Sequence, residues 1–121
     1  MNQKVLSVIS LFLLTGCASS KYTWSNYDDT LYAYYKHPAD SEKFKEKLKA
    51  AVLQAEQTGK VPPGLYAEYG YMLYENHGYT DAITYFKKEH DLWPESQILM
   101  SKMIKNAENL LAKQQNKEVA P

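Results

Sequence analysis

The chain has 121 residues, and its 14 acidic side chains balance 14 basic ones, so the formal net charge at pH 7 is zero. That length suits a single domain, and a balanced charge lacks the clustered basic surface that nucleic-acid binding requires. The basic residues are all lysines, which argues against the bidentate recognition of phosphate or carboxylate groups that arginine provides. The single cysteine excludes an intramolecular disulfide and a cluster of thiolate metal ligands. Tyrosine is unusually frequent, with 11 copies.

Residues 1–16 have the organisation of an export signal. Lys4 precedes an apolar run over residues 5–14, which is too short to span a bilayer as a permanent helix. The segment L-T-G-C at 14–17 resembles the lipobox of bacterial lipoproteins, in which the cysteine becomes the lipidated N-terminus. This resemblance predicts a signal peptide over 1–16 and acyl chains such as palmitate on Cys17, enough for stable anchoring. The alternative is an ordinary signal peptide with a chance cysteine.

The segment after the cysteine predicts a location and a tether. Ala18 stands where retention in the inner membrane usually involves Asp. Resemblance to the sorting pattern of enterobacteria-like lipoproteins therefore implies the outer membrane, on its periplasmic side. Residues 17–26 are short and polar, which favours a lipid-anchored tether. Trp24 and Tyr27 are amphipathic rings that suit a membrane interface. They equally suit packing against the first helix, the interpretation that we favour.

Residues 27–113 have the pattern of a helical domain. Asp28 and Asp29 suit a helix N-terminus, and we expect a short helix that ends before Pro38. A longer helix follows, capped by Asp40 and Ser41 and ending near Thr58, with Gly59 beyond its end. One apolar stripe follows its helical period: Phe44, Leu48, Ala51, Val52 and Ala55.

Two further helices are predicted after the breaker V-P-P-G at 61–64. The turn N-H-G at 76–78 separates them, Thr80 suits the N-cap of the second, and Pro94 ends it. The first carries Tyr66, Tyr69, Gly70, Leu73 and Tyr74, and the second Ala82, Tyr85, Phe86 and Leu92. Residues 63–96 resemble a tetratricopeptide repeat, a 34-residue helical hairpin. In that pattern Gly70 and Ala82 let the helices approach closely.

A second, weaker copy of this pattern precedes it. The motif L-Y-A-x-Y occurs at 31–35 and again at 65–69, an offset of 34 residues. Pro38 interrupts the first copy, so we interpret 29–62 as a degenerate repeat. Glu89 departs from the pattern in the main repeat, where a small residue is expected, and predicts a looser or partly polar contact with the next helix.

The C-terminal part predicts a capping helix and a tail. Apolar residues recur at helical spacing between 96 and 113: Met100, Met103, Ile104, Ala107 and Leu111. Residues 114–121 are polar and are predicted to be a flexible tail. The predicted fold is therefore all-α, with about five helices in one clear repeat, one degenerate repeat and a C-terminal capping helix.

Motifs for catalysis or metal binding are not recognised in the sequence. It has none of the zinc-protease, phosphate-loop or nucleophile-elbow patterns. The histidines at 37, 77 and 90 have no neighbours at metal-ligand spacing, and we expect His90 to be packed on the apolar side of its helix. The predictions are no enzyme activity, no metal and no cofactor.

The tyrosines are the candidates for binding. By the tetratricopeptide resemblance, Tyr71, Tyr74 and Glu75 line a concave groove, with Tyr34 opposite on the first copy. Tyrosine suits a protein-binding surface because it offers a large contact area and a hydrogen-bonding tip at little entropic cost. The alternative is that the tyrosines thicken a thin core.

Five segments together resemble a family of small bacterial lipoproteins with a tetratricopeptide-like domain. They are Y-T-W-S-N-Y at 22–27, L-Y-A-Y-Y at 31–35, V-P-P-G at 61–64, Y-A-E-Y-G-Y at 66–71 and L-W-P-E-S at 92–96. The likeness spans roughly 22–106. Members tend to accompany a lipoprotein similar to the curli-secretion channel. The resemblance implies a non-catalytic adaptor that binds a protein partner, such as another lipoprotein, in an envelope assembly or secretion-related complex. The alternative is a structural subunit or homo-oligomer without a separable groove.

Overall fold

The computed structural model describes residues 21–24, 36 and 40–119. These residues form four α-helices and one 3-10 turn, and no strand occurs among them. The helices are α1 (Ser41–Thr58), α2 (Leu65–Glu75), α3 (Tyr79–Leu92) and α4 (Gln97–Val119), with the 3-10 turn Pro94–Ser96 between the last two. The all-α prediction is therefore confirmed. Of the short helix predicted before Pro38, only Lys36 is among the described residues, and it is helical.

Helix α1 has the bounds and the buried face that the sequence indicates. Its buried residues are the five of the predicted stripe: Phe44, Leu48, Ala51, Val52 and Ala55. Gly59 ends the helix in the left-handed conformation, at φ 67°, which a residue without a side chain adopts at no steric cost. At the other end Asp40 occupies the N-cap position, but its side chain makes no capping hydrogen bond to the described residues.

Helices α2 and α3 form a hairpin through the tight turn at 76–78. The amide of Gly78 donates to the carbonyl of Leu73 at 2.9 Å, and the amide of Ala82 donates to the carbonyl of Gly78 at 2.9 Å. Gly78 is therefore the N-cap residue of α3. The prediction of Thr80 as the N-cap is wrong, because the short turn starts the helix at Tyr79 and places Thr80 inside its first turn.

The hairpin is closed by small residues. A side-chain carbon added to Gly70 would lie 2.9 Å from the ring of Phe86, closer than unbonded carbon atoms approach. Ala82 and Phe86 are fully buried in the same contact. The prediction that Gly70 permits a close approach of the two helices is confirmed, since the Phe86 ring occupies the space a side chain would need.

Buried side chains form two clusters. The first core lies between α1 and α2 and includes Leu48, Val52, Tyr66 and Tyr69. The second core consists of Ala82, Phe86, Met100 and Ala107, with half-buried residues of α2, α3 and α4 around it. Helix α2 contributes to both, so it joins the two cores into one layered structure.

Helix α4 packs along α3 and continues to Val119, six residues beyond the end expected from its apolar pattern. Its predicted stripe is only partly covered: Met100 and Ala107 are buried, whereas Met103, Ile104 and Leu111 are half-buried. The side chains from 112 to 119 are exposed. The last two turns therefore follow from uninterrupted backbone hydrogen bonding and good helix formers rather than from packing.

Candidate functional site

Three of the predicted binding residues come together on α2 and are named here the tyrosine surface: Tyr71, Tyr74 and Glu75. The rings of Tyr71 and Tyr74 are stacked, with centroids 6.3 Å apart and planes inclined by 17°. Tyr71 is 47% exposed, and Glu75 beside them is exposed. Tyr34, expected opposite this surface, and Cys17, the expected lipid attachment site, lie outside the described residues.

Tyr74 also belongs to the packing of the hairpin. Its ring meets that of Tyr79 edge-on at 5.6 Å and that of Phe86 at 6.4 Å. Of the two alternatives that the sequence left open, groove and core, these contacts support the core for Tyr74. Tyr74 is half-buried against the second core and fixes the position of Tyr71, whose ring lies on its outer side.

A second group of tyrosines joins α2 to α3. The rings of Tyr69 and Tyr85 meet edge-on at 4.6 Å, and Tyr66 lies 6.0 Å from Tyr85. The ammonium group of Lys88 lies 4.9 Å from the ring centroid of Tyr85 and 5.3 Å from that of Tyr66, within the range of cation–π attraction. Since Tyr66 and Tyr69 are buried, this group serves packing, as the sequence indicated.

A polar triad closes the same region. The Tyr66 hydroxyl donates to Glu56 Oε1 at 3.0 Å, and Lys88 Nζ donates to the same oxygen at 2.7 Å. The hydrogen bond from Lys88 lowers the pKa of Glu56, although partial burial opposes it. Burial, followed by the contact with Glu56, raises the pKa of Tyr66 to about 12. The triad therefore links α1, α2 and α3.

Glu89 carries a buried carboxylate. In the sequence it was identified only as a departure from the tetratricopeptide pattern, which expects a small residue at this position. It is fully buried. Its Oε1 accepts hydrogen bonds from the amide of Gly64 at 2.7 Å and from the Ser96 hydroxyl at 3.1 Å. Gly64 precedes the first residue of α2, so the carboxylate lies at the helix end that favours negative charge. The contact is partly polar, as expected, and among the described residues the second carboxylate oxygen, Oε2, is buried without a hydrogen-bond partner.

The junction between α3 and α4, residues 92–99, is named here the corner. Residues 92–96 contributed to the family resemblance, but an exposed apolar surface was not predicted there from the sequence. Three large apolar side chains are exposed there: Leu92, Ile98 at 77% and Leu99 at 59%. The sequence contains a signal for this exposure. Apolar residues lie on both sides of Pro94, and their spacing does not follow a helical period that would bury them.

The N-terminal segment 22–24 docks on this end of the molecule. The ring of Tyr22 meets that of Trp93 at 5.7 Å, and Trp24 meets Tyr22 edge-on at 6.4 Å. The Thr23 amide donates to the Lys60 carbonyl at 2.9 Å. Trp24 thus packs through Tyr22 on the corner while its own ring stays partly exposed.

Two of the three histidines, His77 and His90, take part in local contacts, and His37 lies outside the described residues. His77 Nδ1 lies 2.9 Å from the Tyr79 hydroxyl, and His90 Nδ1 lies 2.9 Å from Asp91 Oδ1. His90 is half-buried and is hydrogen-bonded to an exposed acid. Within the part of the chain that the structure describes, no group of three histidine, cysteine or acidic side chains is placed to hold a metal ion. No helix of that part is sufficiently long and apolar to cross a membrane.

Comparison with known proteins identifies one family. The family model described as Domain of unknown function (DUF4810) matches residues 21–103, more than half of the chain. The match covers α1 to α3, the corner and the tyrosine surface. No curated protein and no solved structure matches the chain.

Proposed function

We propose that this chain, which belongs to the DUF4810 family, is a non-catalytic adaptor anchored in the outer membrane by a lipid on Cys17. In this proposal it faces the periplasm and binds a protein partner through the tyrosine surface, as part of an envelope assembly or a secretion-related complex. The observation that carries the binding role is the exposed ring of Tyr71, held in place on Tyr74.

The geometry of the pair favours binding because it is already ordered. Exposed tyrosines ordinarily lose rotamer freedom when a partner covers them, and that loss opposes association. Here Tyr74 is fixed by Tyr79 and Phe86, and Tyr71 stacks on it. A partner therefore meets an ordered aromatic surface, with the Glu75 carboxylate beside it as a hydrogen-bond acceptor. Tyrosines in such positions are frequent hot spots of protein interfaces.

The anchor and the envelope setting rest on the sequence. The L-T-G-C segment at 14–17 has the residue types and the distance from the apolar run that lipid attachment requires. The resemblance to tetratricopeptide-like lipoproteins supports a role beside other envelope lipoproteins, including one similar to the curli-secretion channel. The α2–α3 hairpin, with Gly70 against Phe86, is compatible with that resemblance.

The binding role is tested by capture from detergent-solubilised membranes of the native bacterium, using the tagged full-length chain and Tyr71→Ala. Loss of a hot spot of ~2 kcal/mol lowers affinity about 30-fold, so the partner should disappear from the variant's eluate. Leu53→Ala is the matched control, because Leu53 on α1 is 49% exposed. Equal recovery of the same proteins with Tyr71→Ala would place the binding surface elsewhere.

The same variant distinguishes the adaptor from a structural subunit that assembles with its own copies. Size-exclusion chromatography of the detergent-solubilised protein over a range of concentrations reports self-association. A monomer in which Tyr71→Ala abolishes capture supports the adaptor. A concentration-dependent dimer that Tyr71→Ala dissociates supports the homo-oligomer instead.

The anchor is tested separately with Cys17→Ala. This variant should lack the lipid, and it should be either released from the membrane or retained as an uncleaved precursor. Membrane fractionation and intact-mass measurement report both results. Unchanged recovery of the variant in the outer-membrane fraction would overturn the lipid-anchor assignment.

A further inference from the structure

We propose that the corner is a membrane-contact surface, which rests the α3–α4 end of the molecule on the bilayer that holds the lipid of Cys17. This inference rests on the lipid anchor of the proposed function and adds a second, direct contact with the membrane. The occupant of the exposed apolar side chains Leu92, Ile98 and Leu99 is thus the lipid surface.

The position of the docked N-terminal segment carries this assignment. Tyr22 packs on Trp93, and the amide of Thr23 is bonded to Lys60, so residues 22–24 are fixed to this end of the bundle. Only five residue steps separate Tyr22 from Cys17. Even a fully extended chain of that length spans at most roughly 18 Å. The corner is therefore held close to the bilayer whichever conformation those residues adopt.

The opposite end of the molecule is much farther away. Helix α4 begins at the corner and has 23 residues, which corresponds to a length of about 35 Å. The turn at 76–78 and the exposed last turns of α4 lie toward that other end. With so short a connection, the α3–α4 end is the part of the described helices that lies nearest to the membrane.

The side chains of this end have the chemistry of a membrane interface. Trp24, Tyr22 and Trp93 form a continuous line of aromatic rings, and tryptophan and tyrosine are enriched at the level of lipid headgroups. Ile98 and Leu99 project from the first turn of α4 and are among the most exposed apolar residues described. Exposed apolar side chains grouped at one end mark an interaction surface.

Charges at the corner set the depth of the contact. Asp91, next to the corner, and Glu95, within it, are both exposed. Carboxylates enter the hydrocarbon region of a bilayer only at a large cost in free energy. Lys21, whose ammonium group lies 5.3 Å from the Tyr22 ring centroid, suits the phosphate level. The contact is therefore shallow, with the apolar tips at the headgroup boundary and the helices outside it.

The two tryptophans of the chain both lie at this end and serve as reporters. The lipidated full-length protein is reconstituted into phosphatidylethanolamine–phosphatidylglycerol vesicles, with or without bromine on the acyl chains near the glycerol. Bromine quenches tryptophan fluorescence only at short range. In the Trp24→Phe variant, Trp93 is the remaining reporter, and its emission should be quenched by the brominated lipid.

The contact is then broken by Ile98→Glu with Leu99→Glu in the Trp24→Phe background. Quenching of Trp93 should fall to the level seen without bromine, while intact mass shows the lipid and circular dichroism shows an unchanged helix content. Leu53→Glu, at a similarly exposed site on α1, should leave quenching unchanged.

The outcomes distinguish the membrane contact of the corner from the lipid anchor on Cys17, on which it rests. Quenching that persists in the Ile98→Glu, Leu99→Glu variant, or that is absent in the lipidated Trp24→Phe protein, overturns the membrane contact but leaves the anchor standing. Absent quenching would indicate that a second copy or another segment of this chain covers the corner. A chain without lipid on Cys17 overturns both.

Discussion

Helix α3 takes part in two contacts that are built differently. Along its middle, Ala82 and Phe86 meet Gly70 of α2 in an apolar contact between small residues and one ring. At its end, Glu89 joins Gly64 and Ser96 through a buried carboxylate, and exposed apolar side chains follow. One helix thus serves both packing and binding. The middle contact depends on the fit of side-chain shapes. The end contact depends on hydrogen bonds and leaves apolar side chains exposed for binding.

The largest effect is expected from removing the ring that fills the middle contact. Phe86→Ala leaves a cavity between α2, α3 and α4, and truncation of a fully buried phenylalanine costs about 3–5 kcal/mol. Thermal or urea unfolding of the purified protein measures the loss. A cost below that of an exposed substitution such as Leu53→Ala would show that the hairpin does not depend on this ring.

The end contact should be nearly as sensitive, for a different reason. Glu89→Ala leaves the Gly64 amide and the Ser96 hydroxyl without their acceptor, and hydrogen bonds to a charged group are worth about 1.5–3 kcal/mol. Glu89→Gln keeps an acceptor oxygen in place and is the matched control. If the amide variant is as destabilised as the alanine variant, the negative charge matters more than the hydrogen bonds.

The close approach in the middle contact is tested by adding one carbon. Gly70→Ala forces the Phe86 ring to move, and such overpacking costs about 1–3 kcal/mol. A smaller side chain should relieve the clash, so Phe86→Leu combined with Gly70→Ala should cost less than the sum of the two single substitutions. Additive costs in this double-mutant cycle would contradict a direct contact.

The smallest effect at neutral pH concerns the triad that joins the middle contact to α1. The pKa of Tyr66 is about 12 in the folded protein and 10 when unperturbed, so the folded state holds its proton more strongly. The free energy of unfolding contributed by this residue is therefore fully present below pH 10 and is lost as pH rises from 10 to 12. Urea unfolding across this range, compared with Tyr66→Phe, isolates the contribution, and equal slopes for both proteins would contradict it.

Local sequence patterns were sufficient to predict most of the described helices. The apolar stripe of α1 with Gly59 at its end, the turn at 76–78 and the fit of Gly70 against Phe86 follow from spacing, breakers and side-chain size. These features depend on residues close in sequence or on a known hairpin pattern, so the all-α fold was predictable. Of the candidate site, the proximity of Tyr71, Tyr74 and Glu75 also follows from their spacing on one helix.

Only the tertiary structure decided how those residues are used. Tyr71 and Tyr74 share a face of α2, but the position of α3 places one ring against the core and leaves the other in solvent. The burial of Glu89 depends on the N-terminus of α2 and on Ser96. The docking of Tyr22 depends on Trp93, which is distant in the sequence. These properties arise from contacts between distant segments, whose energies no local pattern contains, and so the sequence determined the helices while packing determined their surfaces.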